Sequence, residues 1–532
     1  MKKILLVVTL FVSVLAWGVP ARRGGFVRTG ADGKEKTVYL HGNEHFHYMT
    51  DEEGQWLDEQ SLVPLSESEK ARLQQAGEAR LRQVRRAAQQ TAGIGDKPNP
   101  APRGLVILVN FTDKAFVTPK DTLDSLHNGE HFTRDYIYSY TYQGKTYELP
   151  ITSEGSARKY FQDQSYGQYN PVFDLIGPLQ LSNTVSYYGS NNDANAPKMI
   201  KEACELADQA GADFSQYDND NDGYVDFVYV VYAGYGEADG GGTETVWPHQ
   251  WTLSDAGITL KLDGKRVNRY ACGNEISKWS DVYNGIGTFC HEFGHVLGLP
   301  DFYETNNPQT GLHTLFDWDI MDYGPYNNDG NTPPSYSAYE RFYMGWLTPR
   351  MLSKAENVTL YPINEGTGSS LLISTANTHN MSGWNPNPTT FYLLEVRTLT
   401  GWDEYLPGPG MLITKVDFVY NNWIYNRVNN NGRAFGMDIL EAEENVSRYS
   451  LPTDAYPAGA TEWTAYSNHE LTDITRDATT GAVSFKYRGG VPSAVEDVTS
   501  EDGKPRKIMR NGQIYLMYKG QMYDVQGRRI GN

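Results

Sequence analysis

Cys290-His291-Glu292-Phe293-Gly294-His295-Val296-Leu297-Gly298-Leu299-Pro300-Asp301 is the stretch on which the reading of this chain turns. Ile286, Phe289, Phe293 and Val296 with Leu297 form an apolar stripe at helical spacing, so a helix is predicted here. On it His291 and His295, four apart, project from one face one turn apart. Two imidazoles at that spacing can hold one Zn²⁺, and Glu292 can reach the open side of the metal as general base. Gly298 lets the backbone leave the helix through a positive φ, and Pro300 prevents its continuation. The chain can therefore return the Asp301 carboxylate as a third ligand, leaving the fourth position for water. A bare H-E-x-x-H also fits a helical His pair beside a salt-bridging Glu. The extension to Gly298 and Asp301 is what makes the pattern specific. Glu340, on a helix predicted over 337–344, is the rival third ligand.

Downstream, Phe316-Asp317-Trp318-Asp319-Ile320-Met321-Asp322-Tyr323-Gly324 resembles the Met-turn of metzincins. That resemblance makes Met321 a hydrophobic floor beneath the metal rather than a ligand. It also puts Tyr323 where some metzincins place a phenol that donates to the oxyanion of the tetrahedral intermediate. As a whole the chain resembles the immune-inhibitor-A-like family of secreted bacterial zinc metallopeptidases. The HExxHxxGxxD form carries this, with Gly42-Asn43-Glu44-His45-Phe46-His47-Tyr48 and Thr50-Asp51, the stretch 156–167, Trp247-Pro248-His249, and Leu406-Pro407-Gly408-Pro409-Gly410. The resemblance implies a zymogen with one catalytic zinc on His291, His295 and Asp301, acting on protein or peptide substrates. Most metzincins have a third His where this chain has Asp301. The Met-turn and the tight Gly298 turn favour Asp301 over Glu340.

The charge balance agrees with such a role. Lys plus Arg total 46 against 65 Asp plus Glu, a formal net charge of −19. A chain this acidic is a poor partner for nucleic acid or anionic membranes, which need clustered positive charge. Met1-Lys2-Lys3, the apolar run 4–17 and Gly18-Val19-Pro20-Ala21 read as a signal peptide over 1–21, so the protein is expected to be extracellular. The run is too short to span a bilayer, and no later segment supplies a span. Of Cys204, Cys272 and Cys290, one pair can then bridge.

A length of 532 residues suits several domains, and the expected fold is multidomain α+β. Residues 22–100 form a leading propeptide that ends in a helix over 66–90 and the Gly- and Pro-rich linker 93–103. The leading unit lacks Cys, so its zinc-blocking group is expected to be a carboxylate, a histidine or bulk. Residues 101–349 alternate strand and helix, as in a metzincin-like α/β catalytic domain with an active-site helix and Met-turn. From 350 to 490 short alternating runs read as an all-β, sandwich-like domain. The basic tail 491–532, with two small strands at 513–518 and 521–525, resembles C-terminal sorting or surface-attachment segments of exported bacterial proteins.

A second cation site is expected at Asp218-Asn219-Asp220-Asn221-Asp222-Gly223-Tyr224-Val225-Asp226. The carboxylates Asp218, Asp220, Asp222 and Asp226 fall on calcium-loop positions 1, 3, 5 and 9, Tyr224 on position 7 and Gly223 on position 6. Tyr229 stands where a true EF-hand has its Glu, so the expectation is a calcium-stabilised turn. Against the peptidase reading stands a binding protein whose β domain recognises glycan or host protein beside a degenerate metal site. An intact Glu292 argues against it, because a dead site has no need for a base.

Overall fold

The apolar run 105–109 becomes the middle of a five-stranded sheet. The computed structural model describes residues 18–30, 33–44, 46–87, 100–129, 136–142, 145–151, 154–305, 314–366, 369–376, 378–431, 434–447, 449–490, 506–510, 513–518 and 521–523. The apolar core of the expected leader, 4–17, lies outside these residues, as does linker 93–99. The sheet runs in the order His249–Thr252, Arg269–Asn274, Val228–Tyr232, Arg103–Asn110, Val172–Gln180. The last four strands are parallel and His249–Thr252 is an antiparallel edge.

Both faces of this sheet are buried, which is why its central strands carry no polar alternation. Leu105, Ile107 and Val109, with Val228 and Val230, face the helix Ala196–Gln209, which has Pro197 in its first turn and buries Met199, Ile200, Ala203 and Cys204. Val106, Leu108 and Tyr229 face the helix Gly287–Val296. Phe289 and Phe293 anchor that helix, with ring centroids 4.7 Å from Tyr229 and 4.6 Å from Phe227. Each such ring contributes roughly 1.5–3 kcal/mol by leaving water, so the helix carrying the histidines is pinned along its apolar side.

The leading unit is a four-stranded sheet, Gly25–Thr29, Glu35–Gly42, His47–Thr50 and Trp56–Leu57 in that order, followed by the helix Glu67–Ala87. A capping box starts the helix: Ser66 N–H donates to Glu69 at 2.8 Å and Glu69 N–H to Ser66 Oγ at 3.4 Å. His47 docks this unit on the next. Its Nε2 lies 3.2 Å from Glu237 and 4.0 Å from Glu59, and its ring stacks on Trp247 at 5.0 Å.

Beyond residue 350, a five-stranded sheet (Arg350–Met351, Ser370–Ser374, Thr390–Arg397, Gly410–Asp417, Met437–Ile439) faces a three-stranded one (Glu356–Leu360, Val483–Tyr487, Leu471–Arg476). Leu371, Ile373, Leu394, Val396 and Ile413 pack between them with Val358, Ile474, Val483 and Phe485. The opposite face of the larger sheet, with Leu372, Phe391, Leu393, Leu412 and Val416, joins the core that holds Phe289, Phe293 and Tyr339. The fully buried Arg397 adds a polar tie, donating to Asp403 at 2.8 Å, to Glu395 at 2.6 Å and to the Ser335 carbonyl at 2.9 Å. The boundary drawn at 350 therefore crosses a shared core. In the tail, Arg506–Arg510 joins Gln513–Tyr518 and Gln521–Tyr523 in one antiparallel sheet, a strand more than the sequence reading saw. Among the described residues no helix is long and apolar enough to cross a membrane.

Candidate active site

Helix Gly287–Val296 presents His291 and His295 on one side, their ring centroids 4.8 Å apart. The Nδ1 of His291 lies 2.7 Å from the Ile320 carbonyl and that of His295 2.8 Å from the Leu299 carbonyl. A carbonyl only accepts, so each Nδ1 carries the proton and each neutral ring turns the lone pair of Nε2 inward. Gly298 takes φ +98°, a left-handed value suited to glycine, and the chain returns through Pro300 to Asp301. Asp301 Oδ1 stands 3.2 Å from His291 Nε2 and 3.3 Å from His295 Nε2, all three side chains fully buried. Three lone-pair donors facing one another out of water repel unless a cation lies between them. Zinc–nitrogen bonds of about 2.0–2.1 Å would separate tetrahedral ligands by about 3.3 Å, so this donor set fits zinc.

Asp301 is itself held. Asn426 donates through its side-chain amide to Oδ2, and its carbonyl oxygen accepts the Asp301 N–H at 2.6 Å. Burial pushes the Asp301 carboxyl up, but the facing imidazoles of His295 and His291 bring it well below the ordinary carboxylate range. Burial lowers His291, which keeps its imidazole neutral. Glu340 is elsewhere: its Oε2 caps its own helix, Ala338–Tyr343, accepting from the Ser337 N–H at 2.6 Å and hydroxyl at 2.9 Å. Met321 is fully buried against the histidine helix, and a Cβ on Gly294 would come within 2.6 Å of its Sδ.

Glu292 Oε1 accepts the main-chain N–H of Val19 at 3.1 Å. This was not foreseen. Residues 18–21, which the sequence reading placed in the leader, are buried across the site. Tyr303 donates its hydroxyl to the Gly18 carbonyl at 2.5 Å, Trp247 Nε1 to the Val19 carbonyl at 2.9 Å and Tyr326 to the Pro20 carbonyl at 2.6 Å. The Gly18–Val19 peptide unit thus has its oxygen on a phenol and its nitrogen on Glu292. Main chain of the leading segment stands against Glu292, and the Glu44 carboxylate of the same unit lies close enough to act on Glu292 and Tyr303. Burial, then the Asp301 and Glu44 charges, push the Glu292 carboxyl well above its usual range. Burial and the Asp301 charge likewise keep Tyr303 protonated, so its hydroxyl remains a donor.

Tyr323 is covered by Arg23, whose guanidinium sits 3.5 Å from its ring centroid. His249 is a packed histidine, with Nδ1 on the Trp247 carbonyl at 2.7 Å and Nε2 3.1 Å from the Tyr270 hydroxyl. Cys204, Cys272 and Cys290 are all buried and free, so the expected bridge is absent among the described residues. Burial raises the Cys290 thiol well above its ordinary value, which disqualifies it as a nucleophile.

In the acidic turn, Asp218, Asp220 and Asp222 converge, while Asp226 turns away to accept from Asn219 N–H at 2.6 Å. The Tyr224 hydroxyl accepts from Arg266 at 3.1 Å. Lys265 Nζ lies 2.6 Å from Asp218 Oδ2 and supplies a positive charge.

Residues 94–347 match the profile of the immune inhibitor A peptidase M6 catalytic domain. Immune inhibitor A of Bacillus thuringiensis subsp. alesti is 25% identical over 297 residues, 48% of this chain and 43% of that protein. The pre-pro-metalloprotease PrtV of Vibrio cholerae serotype O1 (strain M66-2) is 26% identical over 271 residues, 43% of this chain and 29% of that protein. The chain thus matches less than half the length of each of these relatives.

Proposed function

Residues 94–347 belong to the immune-inhibitor-A-like family of metallopeptidases, and from that premise we propose that the chain is an extracellular zinc endopeptidase made in latent form. The observation that carries the reading is the Gly18–Val19 peptide unit, held by Tyr303 and Glu292 beside His291, His295 and Asp301. It lies as a substrate bond would, and the residues around it have the right chemistry to cut one.

His291, His295 and Asp301 would hold the zinc, with Met321 as the apolar floor. When bound, the metal supplies Lewis-acid polarisation of the scissile carbonyl and a lowered pKa for water at the site. Glu292 takes the proton of the attacking water and carries it to the leaving nitrogen, where the Val19 amide stands in this structure. Tyr303 donates to the oxygen on which negative charge develops, a role first expected of Tyr323. Latency follows from the same geometry, since the main chain of 18–22 fills the cleft that a substrate needs. Cleavage in the Gly- and Pro-rich linker and departure of the leading unit would open it.

Calcium is the second cation of this reading, bound at Asp218, Asp220 and Asp222 by displacing the Lys265 ammonium. The basic tail is read as a sorting or surface-attachment segment. The decisive experiment is casein cleavage by the activated protein with and without a chelator, beside Glu292→Ala. Cleavage should vanish in both cases, and cleavage that survives either one overturns the zinc mechanism.

A further inference from the structure

The segment in the cleft carries two adjacent arginines, and the peptidase unit has built a place for each. Arg22 donates to Asp329 Oδ1 at 2.7 Å, Asp239 Oδ1 at 3.2 Å and Ser277 Oγ at 3.3 Å. Its guanidinium lies over Trp279, 4.6 Å from the ring centroid, with Tyr326 at 5.5 Å. Asp239 and Asp329 are 6% and 10% exposed at their side chains. Arg23 follows on an aromatic bed, 3.8 Å from the Phe316 centroid and 3.5 Å from Tyr323.

None of these partners belongs to the leading unit, and the carboxylates are aimed by their own neighbours. Ser277 Oγ donates to Asp329 at 2.8 Å, and Lys278 N–H to Asp239 Oδ2 at 2.5 Å. The pocket is therefore a feature of the peptidase unit, and it loses its cation when the leading segment departs. Two nearly buried carboxylates side by side are costly without a positive partner. Burial already pushes the Asp239 carboxyl up to about 6 with Arg22 beside it.

The register is set by Glu292. The amide it holds is that of Val19, in the place of the leaving nitrogen, so Val19 stands for the first residue after the cut and Arg22 for the fourth. We propose that the Asp239–Asp329 pocket is a substrate subsite for a basic side chain at the fourth position after the scissile bond, with Arg23 marking a cation-accepting fifth. This rests on the peptidase reading above and adds to it a class of substrate, proteins with paired basic residues downstream of the cut. Arginine is preferred to lysine, because one guanidinium nitrogen, Nη1, reaches both carboxylates and Ser277 while the delocalised plane stacks on the Trp279 indole, which an ammonium cannot do.

The test uses the full chain activated by limited proteolysis. Peptides differing only at the fourth position (Arg, Lys, Ala, Glu) are compared by kcat/KM, each variant normalised to its own casein rate. Arg over Ala is expected at roughly 10- to 100-fold, the scale of hydrogen bonds to charged groups. Asp329→Asn and Asp239→Asn should bring that ratio toward one. The peptide Val-Pro-Ala-Arg-Arg should bind the activated protein, and Val-Pro-Ala-Ala-Arg at least about tenfold more weakly on the same scale. Casein cleavage with no preference for Arg, or a preference untouched by both variants, overturns the subsite while leaving the peptidase reading intact. With no casein cleavage at all, the peptidase reading fails, and equal binding of the two peptides would then also refute the pocket.

Discussion

Asn426 clasps Asp301 at both ends, donating to its carboxylate and accepting from its main-chain N–H at 2.6 Å. Asn426 lies 125 residues further along, past the larger C-terminal sheet's strand Gly410–Asp417. A carboxylate carried on a loop after a glycine turn has little rigidity of its own, and this clamp supplies it. Asn426→Ala should weaken metal binding about 10- to 100-fold. Metal titration of the purified variant measures this, and unchanged affinity would deny Asn426 a positioning role.

Tyr303→Phe removes the donor at the Gly18 carbonyl while keeping the ring. A loss of roughly 100- to 1000-fold in kcat with little change in KM is expected, as for other oxyanion donors. Tyr323→Phe is the comparison. A larger loss there than at Tyr303 would return the role to Tyr323.

Gly294→Ala puts a methyl 2.6 Å from Met321 Sδ, between the two histidines. Overpacking of this kind costs about 1–3 kcal/mol. A lowered Tm should be recovered in part by the double change Gly294→Ala with Met321→Ala, which empties the space. No recovery would place the strain elsewhere.

His47 titrates in favour of docking. Burial lowers it, but Glu237 and Glu59 raise it further, to about 9 from the ordinary 6.5. A folded value above the unfolded one gives stability that is complete below about pH 6.5 and is lost as pH rises through about 9. Latent protein should therefore lose its leading unit more readily above pH 9. His47→Gln should flatten that dependence, as read by proteolytic susceptibility across pH.

Lys265 competes with a cation at Asp218. Lys265→Met should tighten calcium binding and make Tm rise on calcium addition. No effect of calcium on either protein would remove calcium from the account.

The parts that were legible in the sequence are local. His291 and His295 are one helical turn apart, so spacing placed the pair, while the glycine bend together with the Met-turn resemblance chose Asp301 over Glu340. The run 105–109 and the run 226–233, whose strand is Val228–Tyr232, both read as buried strands from their apolar residues. Asn426 and Tyr303 carried no such signal, because nothing near them in sequence reveals which distant atoms they meet. Gly18 to Ala21 carry two readings for a chemical reason. Small residues after an apolar run suit a cleavage site, and small residues equally suit main chain threading a narrow cleft. Arg506–Arg510 was missed because basic residues mask its short apolar pair.

The segment 18–22 and the leading sheet are one piece of chain, with Ala21 N–H donating to the Gly42 carbonyl at 2.7 Å. Severing the linker would therefore free nothing at once; it would turn an intramolecular guest into a separate molecule whose rebinding depends on concentration. A crowded pool near its source would stay quiet, and the same molecules would wake as they spread and thin out.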